Sequence, residues 1–128
     1  MRIDVPNGDV ADRIAILKRK QRAFEPGTTG RSHVDAELAG LLATWTAESP
    51  VPLEELAEWP ELVEVNGQLW DVEDRLRALE RLGVFDAEFV DLARSVYRLN
   101  DRRARLKRAI SVETGSALVE EKAYAPYD

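Results

Sequence analysis

Apolar residues recur at helical spacing through most of this chain. Four windows carry the pattern, and short polar segments rich in proline or glycine separate them. The spacing predicts helices over residues 8–24, 32–48, 60–82 and 86–114. Residues 1–6 alternate polar and apolar side chains instead, which favours a short extended arm or an edge strand.

Residues that start or stop helices support these bounds. Pro26 and Gly27 end the first predicted helix, because neither continues a helical backbone well. Ser32, followed by Asp35, resembles a capping box at the start of the second helix. Gly83 provides the left-handed residue that ends the third helix.

The third and fourth predicted helices are joined by a very short connection, so we expect them to form an antiparallel hairpin. Asp86 is the expected N-cap of the fourth helix, with Phe85 positioned to pack on Val90. The segment 116–128 contains two tyrosines, which favour a tail docked on the helices. We therefore predict a single all-α domain over residues 1–128. It is a helical bundle built on a long antiparallel C-terminal hairpin, with a short extended N-terminal arm.

Composition narrows the chemistry. The chain has no cysteine and a single histidine, His33, which excludes disulfides and thiolate metal sites and removes most zinc chemistry. The remaining option, a carboxylate metal cluster at Glu61, Glu64, Glu73 and Asp74, has loose spacing and nearby arginines, so we expect no metal site and no cofactor. No apolar run is long enough for a membrane span, and the first residues lack the apolar core of a signal peptide, so we expect a cytoplasmic protein without membrane contact. The formal net charge of -6 and the pI near 4.9 argue against nucleic acid as a partner.

Polar residues that interrupt the apolar stripes are the best candidates for function. They lie on the first, third and fourth predicted helices, including the basic stretch 97–108. Helical spacing predicts that they converge between these helices. The expected ligand-binding residues are Lys18, Asn66, Trp70, Glu73, Tyr97, Asn100, Arg103 and Lys107. Three cations with one carboxylate and two amides would form a positive pocket for a carboxylate, phosphate or sugar phosphate.

A structural interpretation of the same residues stays open. Glu73 and Arg103 would form an ion pair that fixes the register of the hairpin. Alternatively, Lys18, Arg103 and Lys107 would bury their stems and show their charges to water. Asn66 would bond across the hairpin to its counterpart on the fourth helix. Spacing alone does not choose between a pocket and a polar seam.

Four separated blocks resemble a small bacterial all-helical family classed as a domain of unknown function. They read Val-Pro-Asn-Gly-Asp-Val-Ala-Asp-Arg-Ile-Ala-Ile-Leu-Lys (5–18), Val-Asn-Gly-Gln-Leu-Trp-Asp-Val-Glu-Asp (65–74), Ala-Arg-Ser-Val-Tyr-Arg-Leu-Asn-Asp-Arg-Arg-Ala (93–104) and Leu-Val-Glu-Glu-Lys-Ala-Tyr (118–124). The resemblance extends from about Ile3 to Tyr124 and implies an association with surface-polysaccharide and glycosyltransferase contexts. It implies no activity.

Three functional hypotheses follow. The first is a domain that binds an anionic or sugar-phosphate ligand and is accessory to glycan or cell-envelope assembly. The second is a non-enzymatic module for protein interaction or homodimerisation. The third is a small enzyme, by analogy with the helical chorismate mutase fold, in which Glu73 acts as general acid or base among Lys18, Arg103 and Lys107. That analogy is limited, because the long helices lie at the C-terminal end here and the expected arginine pattern of the first helix is absent.

Overall fold

The computed structural model describes all 128 residues and contains helices and no strand. The α-helices are α1 (Asn7–Ala23), α2 (Thr29–Glu48), α3 (Trp59–Leu82) and α4 (Ala87–Glu113), with a short 3-10 helix at Leu53–Glu55. The predicted all-α class is therefore confirmed. None of the helices has the length and apolar character needed to cross a membrane.

The start of α2 differs from the prediction. Thr28, rather than Ser32, is the N-cap, and its hydroxyl accepts a hydrogen bond from the Arg31 amide at 3.2 Å. Gly27 adopts a positive φ of 85° just before it. This left-handed residue ends the loop early, so the first available hydroxyl caps the helix and α2 begins at Thr29.

The α3–α4 hairpin forms as expected. Gly83 has a φ of 68° and closes α3 in the left-handed conformation. The Asp86 carboxylate accepts a hydrogen bond from the Phe89 amide at 3.2 Å, so Asp86 is the N-cap of α4. Phe85 packs edge-to-face on Phe89, with ring centroids 5.1 Å apart, and Val90 instead is half exposed.

α1 is the central helix of the bundle. It packs against α2 on one side and lies in the groove of the α3–α4 hairpin on the other. The apolar core is continuous across these contacts and comprises Ala11, Ile14, Ala15, Leu17, Val34, Leu38, Trp45, Leu53, Leu56, Leu62, Val65, Leu69, Leu106 and Ile110. Burial of each large aliphatic side chain in this core contributes about 1.5–3 kcal/mol to the free energy of folding. The position of α1 therefore fixes how the other helices meet.

The first turn of α1 lies directly against the last turns of α4. The Gly8 amide donates to Ser111 Oγ at 2.8 Å, and Asn7 donates through Nδ2 to Thr114 Oγ1 at 2.9 Å and through its amide to Ser116 Oγ at 3.0 Å. Pro6, which precedes the helix, provides no side-chain cap. Hydroxyl groups from the far end of the sequence thus satisfy the first two backbone amides of α1.

Gly8 is needed for this close approach, because a Cβ there would collide with the Lys107 carbonyl. We expect Gly8→Ala to destabilise the protein by about 1–3 kcal/mol through overpacking. Gly40→Ala is a matched control inside α2, where a Cβ meets nothing within 4 Å. It should stabilise by about 0.5–1 kcal/mol through helix propensity. Urea unfolding measures both, and equal effects of the two substitutions would contradict the close packing of α1 on α4.

Candidate functional site

A buried carboxylate, Asp12, lies where α1, α3 and α4 meet. Only 4% of the residue is exposed. Its Oδ1 accepts hydrogen bonds from Arg103 Nε at 2.8 Å and from Asn66 Nδ2 at 3.0 Å, and its Oδ2 accepts from Arg103 Nη2 at 2.5 Å. The Arg103–Asp12 contact is therefore bidentate, the strongest geometry available to this pair.

Small residues on α1 bring Asp12 to this position. Gly8 and Asp12 are four residues apart and share one face of the helix, together with Ala11 and Ala15. This face has little side-chain bulk, so α1 comes close to α4 and a short aspartate reaches the Arg103 guanidinium. Gly8 contacts Ser111 while Asp12 contacts Arg103, so α1 runs antiparallel to α4.

The Arg103 guanidinium keeps its charge in spite of partial burial. The hydrogen bond from Arg103 to Asp12 raises the pKa of the guanidinium, against a smaller opposing effect of desolvation. Arg103 also donates through Nη1 to Asn100 Oδ1 at 3.3 Å. One charged pair thus orients an amide on α3, Asn66, and an amide on α4.

Lys107 lies one helical turn further along α4 and has its own carboxylate partners. Its Nζ is 3.2 Å from Asp9 Oδ1 and 2.9 Å from Glu120 Oε2, and its side chain is 14% exposed. Burial acts to lower the pKa of Lys107, but its hydrogen bonds to Glu120 and Asp9 outweigh burial and raise it. The ammonium is therefore charged and neutralised locally.

A cleft of about 430 Å³ opens beside the Asp12 network. The residues lining it come from α1, α3 and α4, and are Ile16, Asn66, Leu69, Trp70, Glu73, Asp74, Arg77, Asn100 and Arg103. Five of the eight residues predicted to bind a ligand are among them: Asn66, Trp70, Glu73, Asn100 and Arg103. The Arg19 guanidinium stacks on Trp70, 4.5 Å from the ring centroid, at the α1 side of the cleft.

Several polar groups of the cleft have hydrogen-bonding capacity to spare. Asn66 uses its Nδ2 in both of its hydrogen bonds, which leaves Oδ1 as an acceptor. Asn100 uses Oδ1 as an acceptor, which leaves Nδ2 as a donor. Glu73 and Arg77 are exposed, and neither takes part in an ion pair.

The other three predicted residues lie elsewhere. Lys18 is exposed, with its Nζ 5.5 Å from the ring centroid of Trp59. Tyr97 packs on Tyr127 with ring centroids 4.9 Å apart. Lys107 belongs to the cluster with Asp9 and Glu120. The three cations therefore do not form one positive pocket.

The hydrogen-bonding partners expected from the hairpin alone are also different in the structure. Arg103 pairs with Asp12 and not with Glu73, and the two asparagines bond to Asp12 and to Arg103 rather than to each other. The reason is that α1 lies in the groove of the hairpin and inserts its carboxylate between the facing helices. Asp12 was missed because a single acid after Ala11 looks like a surface residue. The repeat of small residues at 8, 11 and 15 was the available signal.

An all-helical fold with a polar cleft at a three-helix junction is thus the class of protein that the structure defines. A family model described as "Family of unknown function (DUF6165)" matches residues 1–127, and the chain belongs to this family. This agrees with the resemblance to a domain of unknown function. Neither the curated proteins nor the solved structures gave a match.

The Asp12–Arg103 pair should be strongly coupled in stability. Removing either partner leaves the other charge without compensation, so we expect Asp12→Ala and Arg103→Ala each to cost about 2–4 kcal/mol, less than a fully buried pair because Arg103 is partly exposed. The coupling energy from the double mutant should be about 1–3 kcal/mol.

Urea unfolding of the two single mutants and the double mutant gives this coupling. The exposed pair of Arg13 and Glu37 is the control, with an expected coupling below about 1 kcal/mol. A coupling for the buried pair no larger than that of the control would show that Asp12 does not hold Arg103.

Proposed function

We propose that the cleft between α1, α3 and α4 binds a hydroxyl-rich anionic small molecule, with a sugar phosphate as the first candidate. The observation that carries the proposal is the convergence of unused hydrogen-bonding groups around an aromatic ring in one cleft. Its volume of about 430 Å³ lies within the usual range for small-molecule sites.

The residues available suit both parts of such a ligand. The free acceptors on Asn66 and Glu73 and the free donor on Asn100 match the mixed donor and acceptor character of sugar hydroxyls. Trp70, together with the Ile16 and Leu69 side chains, offers apolar surface for the face of a sugar ring.

The phosphate would interact chiefly with Arg77. Its guanidinium lines the cleft and has no carboxylate partner, whereas the charge of Arg103 is already balanced by Asp12. An arginine can bind two phosphate oxygens at once, which gives both energy and orientation. This assignment replaces Lys18 and Lys107, which lie outside the cleft, as the source of positive charge.

The biological role we propose is accessory to glycan or cell-envelope assembly in the bacterial cytoplasm. A sugar-phosphate ligand supports this role, because activated and phosphorylated sugars are the substrates of such assembly. The surface-polysaccharide context implied by the resemblance points in the same direction.

Calorimetric titration with glucose 1-phosphate, glucose and inorganic phosphate tests the binding proposal. We expect glucose 1-phosphate to bind most tightly, because only this probe uses both parts of the cleft. Arg77→Ala should weaken its binding about ten- to a hundredfold, as expected for the loss of a charge-assisted hydrogen bond. The weaker binding of glucose should change little.

Arg81→Ala is the matched control, since Arg81 is an exposed arginine one turn further along α3 and outside the cleft. It should leave binding of glucose 1-phosphate unchanged. The proposal is wrong if none of the three probes binds, or if the two arginine substitutions have the same effect.

A second candidate function is self-association through the end of the hairpin. Three large apolar side chains are exposed there, with Leu82 71%, Phe85 59% and Val90 50% exposed. Exposed apolar residues grouped at one end of a protein are typical of an interaction surface.

Sedimentation equilibrium over a wide range of protein concentration tests this candidate. We expect the wild type to form a dimer, because pairing would remove these side chains from water, and Phe85→Ser to shift the equilibrium towards monomer. Val112→Ser is a control, since Val112 is 64% exposed near the other end of α4. A wild type that stays monomeric at the highest concentration would exclude the dimer.

A further inference from the structure

The tail, residues 117–128, lies along α4 in an extended conformation on a surface separate from the cleft. Glu120 pairs with Lys107 at 2.9 Å and Glu121 with Arg108 at 3.1 Å, whereas Tyr127 packs on Tyr97. Towards its end the tail thus meets earlier residues of α4, so the two segments run antiparallel.

The spacing of these contacts shows how far the tail is stretched. The helix from Tyr97 to Arg108 spans roughly 16 Å at a rise of about 1.5 Å per residue. The six steps from Glu121 to Tyr127 reach roughly 20 Å when fully extended. The tail is therefore long enough to follow this stretch of α4 without helical structure, with an acidic pair at one end and an aromatic ring at the other.

The surface of α4 beneath the tail is basic. A cleft of about 270 Å³ lies between them and is lined by Asp101, Ala104, Arg105, Arg108, Glu120, Glu121 and Lys122. Arg105 has no ion pair, and Arg98 lies over the Tyr127 ring at 5.7 Å from its centroid. Desolvation raises the pKa of the Tyr127 hydroxyl, and a hydrogen bond to Asp101 raises it further. Both effects agree with the packing of Tyr127 on α4.

Apart from the Lys107–Glu120 ion pair, whose side chains are 14% and 32% exposed, the contacts that hold the tail are individually weak. The side chains of Arg108 and Glu121 are 49% and 76% exposed, and Tyr127 remains 51% exposed. An exposed ion pair contributes about 0–1 kcal/mol. The tail keeps its place mainly because it belongs to the same chain, which gives it an effective concentration in the millimolar range for a short linker.

We infer that this basic face of α4 is a docking surface for an extended acidic segment of a partner protein, and that the tail is its intramolecular competitor. The segment that fits carries two adjacent acids and, six residues after the second, an aromatic residue, as Glu121 and Tyr127 do here. The partner enters by displacing the tail. The acidic Asp101 in the middle of the surface and the net charge of -6 favour a peptide over a nucleic acid.

The test uses the full-length chain with Glu120→Gln, Glu121→Gln and Tyr127→Ala, which releases the tail and leaves Ser116, the cap of α1, in place. The probe is a fluorescent peptide with the wild-type sequence of residues 117–128, followed by anisotropy. We expect the released-tail variant to bind the peptide at least about tenfold more tightly than the wild type, because the competitor is gone.

Two double substitutions in the released-tail variant locate the surface. Arg105→Ala with Arg108→Ala should weaken peptide binding at least about tenfold, since it removes two cations of the face. Lys20→Ala with Arg22→Ala is the charge-matched control at the end of α1, where both residues are exposed, and should leave binding unchanged.

Three results would overturn the inference. The first is that the released-tail variant does not bind the peptide or binds it no better than the wild type does. The second is that both double substitutions have the same effect. The third is that a single-stranded oligonucleotide of twelve residues binds the released-tail variant more tightly than the peptide does, which would identify the face as a nucleic-acid surface.

Discussion

The bidentate contact between Asp12 and Arg103 constrains how α1, α3 and α4 are placed relative to one another. Moving a carboxylate and a guanidinium out of water costs several kcal/mol for each ion, and good geometry with further hydrogen bonds is needed to offset it. Asp12 receives three hydrogen bonds from two helices, so α1 can occupy the groove of the hairpin in a single register.

The same contact explains why the cleft has the chemistry it has. Arg103 is committed to Asp12, so it acts as a support that orients the two asparagines rather than as a free cation. Glu73 and Arg77 line the cleft as exposed side chains, whereas Asn66 and Asn100 are held in place by their hydrogen bonds to Asp12 and Arg103. Pre-organised polar groups of this kind bind with less loss of side-chain entropy than mobile surface residues do. The buried pair therefore holds two of the residues that line the open cleft.

The sequence was informative wherever the signal was local. Gly83 and Asp86 mark the turn of the hairpin by their own backbone and capping preferences, and the structure has both in those roles. The apolar pattern of α3 and α4 also predicts that Asn66 and Asn100 face each other, because both lie at helical spacing from apolar neighbours. Both line the same cleft in the structure. The contribution of α1 was harder to predict. Helical spacing predicts that Lys18 points towards the other helices, but in the structure its neighbour Leu17 is buried and Lys18 is exposed. Successive side chains of a helix point about 100° apart, so a small rotation of α1 decides which of the two faces inward.

The periodicity of apolar residues does not determine which residues of different helices contact each other; the register in which the helices pack does. The partner of Arg103 depends on how deeply α1 enters the groove, and this depth depends on the missing side chain of Gly8. The contacts of the tail depend in a similar way on the packing of a segment without helical periodicity. In each case the deciding contact joins residues that are distant in the sequence, which a local pattern does not encode.

The capping of α1 by Ser111, Thr114 and Ser116 has a consequence for the order in which the molecule forms. These hydrogen bonds join residues more than a hundred positions apart, with sequence separations of 103 to 109. During synthesis α1 and α2 emerge first and can pair through their apolar faces, but the first turn of α1 stays uncapped and Asp12 stays hydrated. The central helix reaches its final state last, when the end of α4 has left the ribosome, and long-range closure of this kind slows folding. Until then the apolar face of the α1–α2 pair stays exposed and accessible to chaperones that bind nascent chains.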